Sequence, residues 1–295
     1  MPSSKSDIRE RGLPPRFMDG TLMDPDSRGP MDPQAAKQRG RIDYSLGRYS
    51  FWSAVFGPAS DRLVDTAGVS PGMRVLDVAS GDGNTALAAA RREATVIALD
   101  ITPAQVRRGR LRTEAEGAAV QWVEGDEDRL PFPDATFDCA LCTFGIEGPL
   151  DAAVDEMFRV VRRGGVVGFT EWTGEGVVGA LWEPLSGFAS PGTEQQQDAD
   201  DWGNEDRVRS RLSKHSSVID LLRQVLLARF ESVDRFCTDF WQNDPEIRAL
   251  DAVLTPDQRS VLRSQLRRLI ADRNTAPDSA LVLELNYLLT VAHKP

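Results

Sequence analysis

Residues 74–91 read RVLDVASGDGNTALAAAR, and the fold turns on how this stretch is read. Its first five residues are an apolar run, β-branched at Val75 and Val78, with an acid at Asp77. Small residues follow, with glycines at Gly81 and Gly83, and then an alanine-rich stretch over 85–91 suited to a helix. Strand, tight glycine turn and helix is how an α/β sheet opens a nucleotide site at the carboxyl end of its first strand. Glycine is wanted there because the backbone bends sharply and lets a ligand approach where a Cβ would collide.

Downstream the chain alternates as a parallel sheet requires. A second strand is expected over 95–100 (TVIALD), then a helix over 103–116 with Thr102 as cap and Pro103 in its first turn. Strands follow over 120–124, 137–142 and 165–170, with a helix over 151–161 before the last of them. After Glu171 the composition changes. Residues 172–210 hold three tryptophans (Trp172, Trp182, Trp202), a QQQDADD run and several glycines, which reads as an insertion over the ligand-bearing edge. Residues 217–230 satisfy neither period cleanly, whereas 231–250 and 255–272 read as helices. The second of these opens on Thr255-Pro256-Asp257-Gln258, a capping-box pattern with proline at the first helical position. Residues 280–292 (ALVLELNYLLTVA) read as a late strand.

Upstream, residues 1–33 are rich in Pro, Gly, Asp and Ser, with MDG, MDP and MDP recurring at Met18, Met23 and Met31. A flexible tail is expected there. Residues 34–67 should be mostly helical, their aromatics at Tyr44, Tyr49, Phe51, Trp52 and Phe56 serving packing. The chain thus divides into a tail (1–33), a helical cover (34–67), an α/β core (68–171), a substrate lid (172–275) and a C-terminal strand (276–295).

The net charge of −10 over 295 residues argues against a nucleic-acid partner. No run approaches the ~18 apolar residues of a membrane span, and the N-terminus lacks the apolar core of a secretory signal. Three cysteines suit a reducing cytoplasm better than a disulfide framework. Cys139 and Cys142 form a C-x-x-C, but on a strand they point to opposite faces; they read as core residues and no metal is expected.

Residues 81–86 also satisfy G-x-G-x-x-A, and Asp100 ends the second strand, close to where an acid meets a ribose in dinucleotide enzymes. Asp82 speaks against that reading, because a carboxylate in the turn that must cradle a pyrophosphate is costly. Asp126 and Glu127 follow the third strand, and Asp126 could accept a hydrogen bond from an adenine amino group. Together, Asp82, Asp100, Asp126 and Glu127 would make one edge of the sheet acidic, which suits a ligand bearing a sulfonium.

In order and spacing, VLDVASGDGN, VIALDIT, WVEGDEDRLPFPDATFD and EMFRVVRRGGVVGFTEW resemble the class I S-adenosylmethionine (SAM)-dependent methyltransferases over about residues 68–172. Weaker likeness to an actinobacterial-type branch acting on small molecules runs from YSLGRY at 44–49, through Trp202-Gly203 and RVR at 207–209, to LNYLL at 285–289. The resemblance implies a Rossmann-like, seven-stranded, mostly parallel sheet with an antiparallel last strand and a helical lid. Residues 219–230 would be strand six, 231–250 a lid helix and 280–293 strand seven. By position, Asp77 and the backbone at Ala79, Gly81 and Gly83 would hold the methionine end of SAM. Asp100 would take the ribose hydroxyls, with Ile101 against adenine, Asp126 and Glu127 at the adenine edge and Thr143 in the strip after strand four. Tyr49 would lie in a helix that closes on the cofactor. Two departures stand out: Ala79 replaces the usual glycine, tightening the loop, and Arg163 replaces the usual proline before the paired glycines.

The implied reaction moves a methyl group from SAM to an oxygen, nitrogen or carbon nucleophile of a small organic acceptor, in secondary metabolism. Aromatics outside the motif region suit an apolar, partly flat acceptor. His215 is the candidate general base and Glu171 its rival, although proximity alone can carry methyl transfer. The protein is expected to be cytoplasmic, free of membrane and nucleic acid, and a monomer or homodimer. Three rival readings are a methyltransferase-like fold used as a cyclase, a non-catalytic binding protein and a nicotinamide oxidoreductase.

Overall fold

Val75, Leu76 and Val78 are wholly buried, so the strand that carries them, β1 (Arg74–Val78), is covered on both faces. A parallel strand buried in this way lies at the centre of its sheet. The computed structural model describes residues 17–18, 21–22, 50–145, 151–186, 188 and 202–295. Apart from a two-residue ladder between Phe17–Met18 and Thr21–Leu22, the expected tail and the first part of the expected cover, 34–49, lie outside the described residues, as does much of the expected insertion.

β1 pairs in parallel with β2 (Thr95–Asp100) on one side and β4 (Phe137–Thr143) on the other. β3 (Val120–Glu124) lies outside β2, and β5 (Val161–Trp172) beyond β4. β7 (Leu281–His293) runs antiparallel between β5 and the edge strand β6 (Val218–Phe230). The order is therefore β3-β2-β1-β4-β5-β7-β6. The reversal between β2 and β4 around β1 is the switch point at which such sheets receive ligands.

One face is covered by α1 (Ser50–Thr66), α2 (Asn84–Ala90), α3 (Pro103–Ala115) and the later helices. The other is covered by α4 (Asp151–Val160), with Trp202 and α6 (Glu205–Leu212). α5 (Gly176–Ser186), α7 (Val233–Asn243), α8 (Pro245–Asp251) and α9 (Pro256–Asp272) form a cap on the first face. β6 and β7 continue to the pair Phe230 and Leu281, whereas β5 stops at the pair Trp172 and Tyr287. A two-stranded arm thus overhangs the sheet and carries the cap.

Two expectations need correction and a third gains its explanation. Residues 231–250 are two helices, because Asp244 is extended (φ −69°, ψ 126°) before Pro245, as steric conflict with a proline ring demands. The fifth strand is longer than 165–170 and begins at Val161, directly after α4, with its pairing to β4 shifting between Phe137 and Cys139. The strand expected over 219–230 forms as β6, and its buried side changes along its length, which is why 217–230 fits neither period cleanly. Ile219 and Leu221 pack against the α4 face, whereas Leu226 and Ala228 are buried against the cap. No single period can describe such a strand. The capping box stands: Thr255 Oγ1 accepts from Gln258 N at 3.3 Å and Gln258 Oε1 from Thr255 N at 2.9 Å. Cys139 and Cys142 are both buried and belong to the cores on opposite faces.

Under the glycine turn, the Trp122 indole of β3 lies between Gly83 and Gly109 and donates from Nε1 to Thr113 Oγ1 at 3.1 Å. A Cβ at Gly109 would lie 1.9 Å from the ring. Helix propensity favours Gly109→Ala by about 1 kcal/mol, but overpacking a held ring costs about 1–3 kcal/mol. Gly109→Ala should therefore lower stability in urea unfolding, and a gain in stability would show that the indole is not fixed.

Candidate functional site

At the carboxyl end of β1 the chain enters a left-handed backbone at Ala79 (φ 50°), Gly81 (φ 55°) and Gly83 (φ 95°) before α2 begins. Glycine adopts these angles freely, whereas an alanine there carries strain of about 1–2 kcal/mol. The tightening expected from alanine at this position therefore takes the form of backbone strain. Ser80 N donates to Leu99 O at 2.9 Å, which pins the turn against β2.

Two carboxylates organise the turn from within. Asp77 is 1% exposed, and its Oδ2 accepts from Ala86 N at 2.9 Å. Burial pushes its pKa well above the ordinary carboxylate value, with the charge of Asp100 adding to the effect. Asp100 is 7% exposed and accepts from Gly81 N through Oδ2 and from Thr102 N through Oδ1, each at 2.8 Å. Burial raises its pKa to about 6; the two backbone donors oppose the rise and the charge of Glu127 adds to it. Asp100 thus links the turn after β1 to the turn after β2.

A third acid, Asp82, is fastened by side chains from two helices. Its Oδ2 accepts from Ser53 Oγ of α1 at 2.6 Å and its Oδ1 from Arg112 Nη1 of α3 at 3.0 Å. The guanidinium balances part of the charge that the sequence places on this edge. Asn84 Nδ2 donates to Ser53 O at 2.8 Å, and Thr85 Oγ1 donates to Ser60 Oγ at 3.3 Å. Through these bonds α1 closes down on the turn. Between them lies a hollow of about 270 Å³, its open mouth included. α1 contributes Phe56 and Ser60 to its wall, the end of β1 Asp77 and Ala79, the turn and α2 Ser80, Asp82, Asn84 and Thr85, and the end of β4 Thr143.

The structure accordingly brings together Asp77, Ala79, Gly81, Gly83, Asp100 and Thr143, the last bonded to Thr85 through the two hydroxyls at 2.8 Å. Half-buried Ile101 follows Asp100 at the same edge. Asp126 caps the short 3-10 turn Glu127–Arg129, accepting from Asp128 N at 3.0 Å, and Glu127 is buried beside Asp100. Arg159 of α4 holds the loop beyond, donating to Leu130 O at 3.0 Å and Phe132 O at 2.8 Å. Tyr49 lies outside the described residues.

The two candidate bases are placed elsewhere. His215 lies beside the start of β6, whose Val218 pairs with His293, at the edge of the sheet where β5 begins. Its Nε2 is 2.7 Å from Asp155 Oδ1 and its ring stacks on Phe158 of α4 at 4.4 Å. The hollow opens at the opposite edge, so proximity to the lid in sequence does not become proximity in space. Glu171, buried near the end of β5, shares the face of Val167 and Phe169 and raises the thiol pKa of Cys142 across that face. Asp77 and Thr143 line the hollow from the other face.

Sequence reading missed the pairing of Asp82 with Ser53 and Arg112, and the cluster of Phe56, Phe144, Trp172 and Tyr287 beside the hollow. The sequence marks Phe56 only as a packing residue, because nothing local shows that it faces the end of β4. Phe144 also has a left-handed backbone (φ 49°), and its ring stacks on Trp172 with centroids 3.7 Å apart.

Residues 75–165 match the family described as a methyltransferase domain. An uncharacterised protein of Mycobacterium tuberculosis, Rv1405c, is 32% identical over 259 residues, spanning 86% of this chain and 93% of that protein. The ubiquinone/menaquinone biosynthesis C-methyltransferase UbiE of Pseudomonas putida is 33% identical over 145 residues, 45% of this chain and 57% of that enzyme. Among solved structures, YcgJ of Bacillus subtilis superposes with a TM-score of 0.55 at 19% identity, covering 80% of this chain and 99% of YcgJ, and so shares the fold. With its strand order and its glycine turn at the switch point, the chain belongs to the class I S-adenosylmethionine-dependent methyltransferase family.

Proposed function

We propose that this protein transfers a methyl group from SAM to an oxygen, nitrogen or carbon nucleophile of a small organic acceptor. The observation that carries the reading is the hollow walled by the buried carboxylates Asp77 and Asp82, with Asp100 behind Gly81. Acceptor oxygens in this turn, their charge balanced only in part by Arg112, oppose a pyrophosphate and favour a ligand with cationic or hydrogen-bond-donating groups. The donor set fits SAM: Asp77 and the backbone from Ala79 to Gly83 would hold the amino-acid end, Asp100 the ribose hydroxyls, and Asp126 with Glu127 the adenine edge. Bound SAM supplies a methyl group on a positively charged sulfur. The chain's own contribution is alignment and exclusion of water, and proximity of this kind lowers a barrier by about 7–11 kcal/mol. No helix of the described residues is long and apolar enough to cross a membrane, and a small-molecule acceptor needs no such anchor.

Calorimetric titration should give micromolar affinity for SAM and none for NAD; the reverse result would remove the reading. Asp100→Asn replaces an acceptor-only group with one that must turn a donor toward a hydroxyl or a backbone N–H. At about 1.5–3 kcal/mol per charged hydrogen bond, the variant should bind SAM roughly 10- to 150-fold more weakly while keeping its circular dichroism.

Asp100 also sets a pH dependence. Because its pKa is raised from 3.8 to about 6, its contribution to folding stability is greatest below the ordinary value and is lost as pH rises through about 6. Ligand binding has the opposite sign, since ribose hydroxyls donate to the ionised form. SAM affinity should be level above about pH 7 and fall by up to about tenfold per unit below about 6. A profile that stays flat down to about pH 5 would separate Asp100 from the ribose.

A further inference from the structure

The aromatic cluster adjoins the hollow and reaches its wall through Phe56. Phe56 lines the hollow, and its ring lies 5.2 Å from Phe144 and 5.4 Å from Trp172. Trp172 and Tyr287 are ladder partners on β5 and β7, so the sheet fixes that wall. Phe144 is held differently. It follows the last residue of β4, directly after Thr143, which lines the hollow. Its backbone is left-handed (φ 49°), which is rare for a large side chain, and its N–H donates to Thr170 O at 3.3 Å and Thr170 Oγ1 at 3.2 Å. The ring lies flat on the Trp172 indole, centroids 3.7 Å apart and planes 1° apart, with Tyr287 edge-on at 5.3 Å. The next residue, Gly145, packs so closely on the rim that a Cβ there would be 2.4 Å from Ala79 O. Ala79 is itself left-handed. Two strained residues therefore meet where the hollow and the aromatic wall join, and such strain persists where a site is made to rearrange.

We propose that the methyl acceptor is a planar aromatic ring that stacks on the Trp172 indole in the place held here by the Phe144 ring, with Phe144 swinging aside. The inference rests on the methyltransferase reading. Three features point to it. The wall is flat and aromatic, and aromatic rings prefer stacked partners over saturated ones of equal size. The displaceable ring stands on the strained, non-ladder residue, whereas the ring it covers stands on a strand. Finally, the vacated place adjoins Phe56, which lines the hollow, so a hydroxyl or amine on the edge of a stacked ring would face the hollow.

The test titrates 2-naphthol, and 2-decalol as its saturated counterpart, into the full chain saturated with S-adenosylhomocysteine, whose own affinity is measured first in each protein. Wild type should bind 2-naphthol about threefold to tenfold more tightly than 2-decalol. Trp172→Leu should weaken 2-naphthol by about tenfold or more. Phe144→Gly, which fits a left-handed backbone and removes the competing ring, should tighten it by about threefold or more. S-adenosylhomocysteine affinity kept within about twofold marks each variant as folded. Equal binding of the two probes, no binding of 2-naphthol, or weaker binding in Phe144→Gly would overturn the inference while leaving the cofactor reading in place. Failure of S-adenosylhomocysteine to bind wild type would remove both.

Discussion

Two backbone N–H groups, from Gly81 and Thr102, converge on the carboxylate of Asp100 from turns that belong to different βα units. The group is nearly cut off from water, so its ionised form is held by these donors against burial and against the charge of Glu127. Without an acceptor at this point, two buried N–H groups would lose their partner, at about 1–3 kcal/mol each. The bend of the glycine turn, the position of α2 and the depth of the hollow all follow from that constraint.

α1 supplies the opposite wall by means of side chains rather than a ladder. Ser53 binds Asp82, while its neighbour Trp52 donates from Nε1 to Asp244 Oδ2 at 2.9 Å. Asp244 also accepts from Ile247 N at 3.0 Å and so caps α8. One helix is thereby tied to the glycine turn on one side and to the cap on the other. Buried Ser53 and Asp82 are matched to each other, and Arg112 supplies the positive charge that a buried acid requires.

The cap itself depends on the overhang of β6 and β7. Its helices bury Phe236, Phe240, Trp241, Leu262 and Leu266 against the arm, on the same side of the sheet as α1. This places an apolar roof next to an acidic floor.

Much of this was legible in the chain. The β-branched runs, the glycines at 81 and 83, Pro103 after Thr102 and the capping box at Thr255 act within a few residues, and each formed the element it predicts. Parallel order then sends the end of every early strand to one edge, which is why Asp77, Asp100 and Thr143 meet. What only the tertiary structure decided depends on contacts between residues far apart in sequence. Asp82 and Arg112 are separated by 30 positions, and Trp52 and Asp244 by 192. His215 lies in the lid segment by number, yet β6 runs in the same direction as β5, so the start of β6 and His215 beside it fall at the far edge, where β5 begins. Glu171 and Trp172 are adjacent in the chain, yet the pleat sends them to opposite faces. The mixed pattern of β6 arose because two different layers bury its two halves. Local periodicity reports which residues seek an interior, but the partner that provides that interior is fixed only when the layers pack.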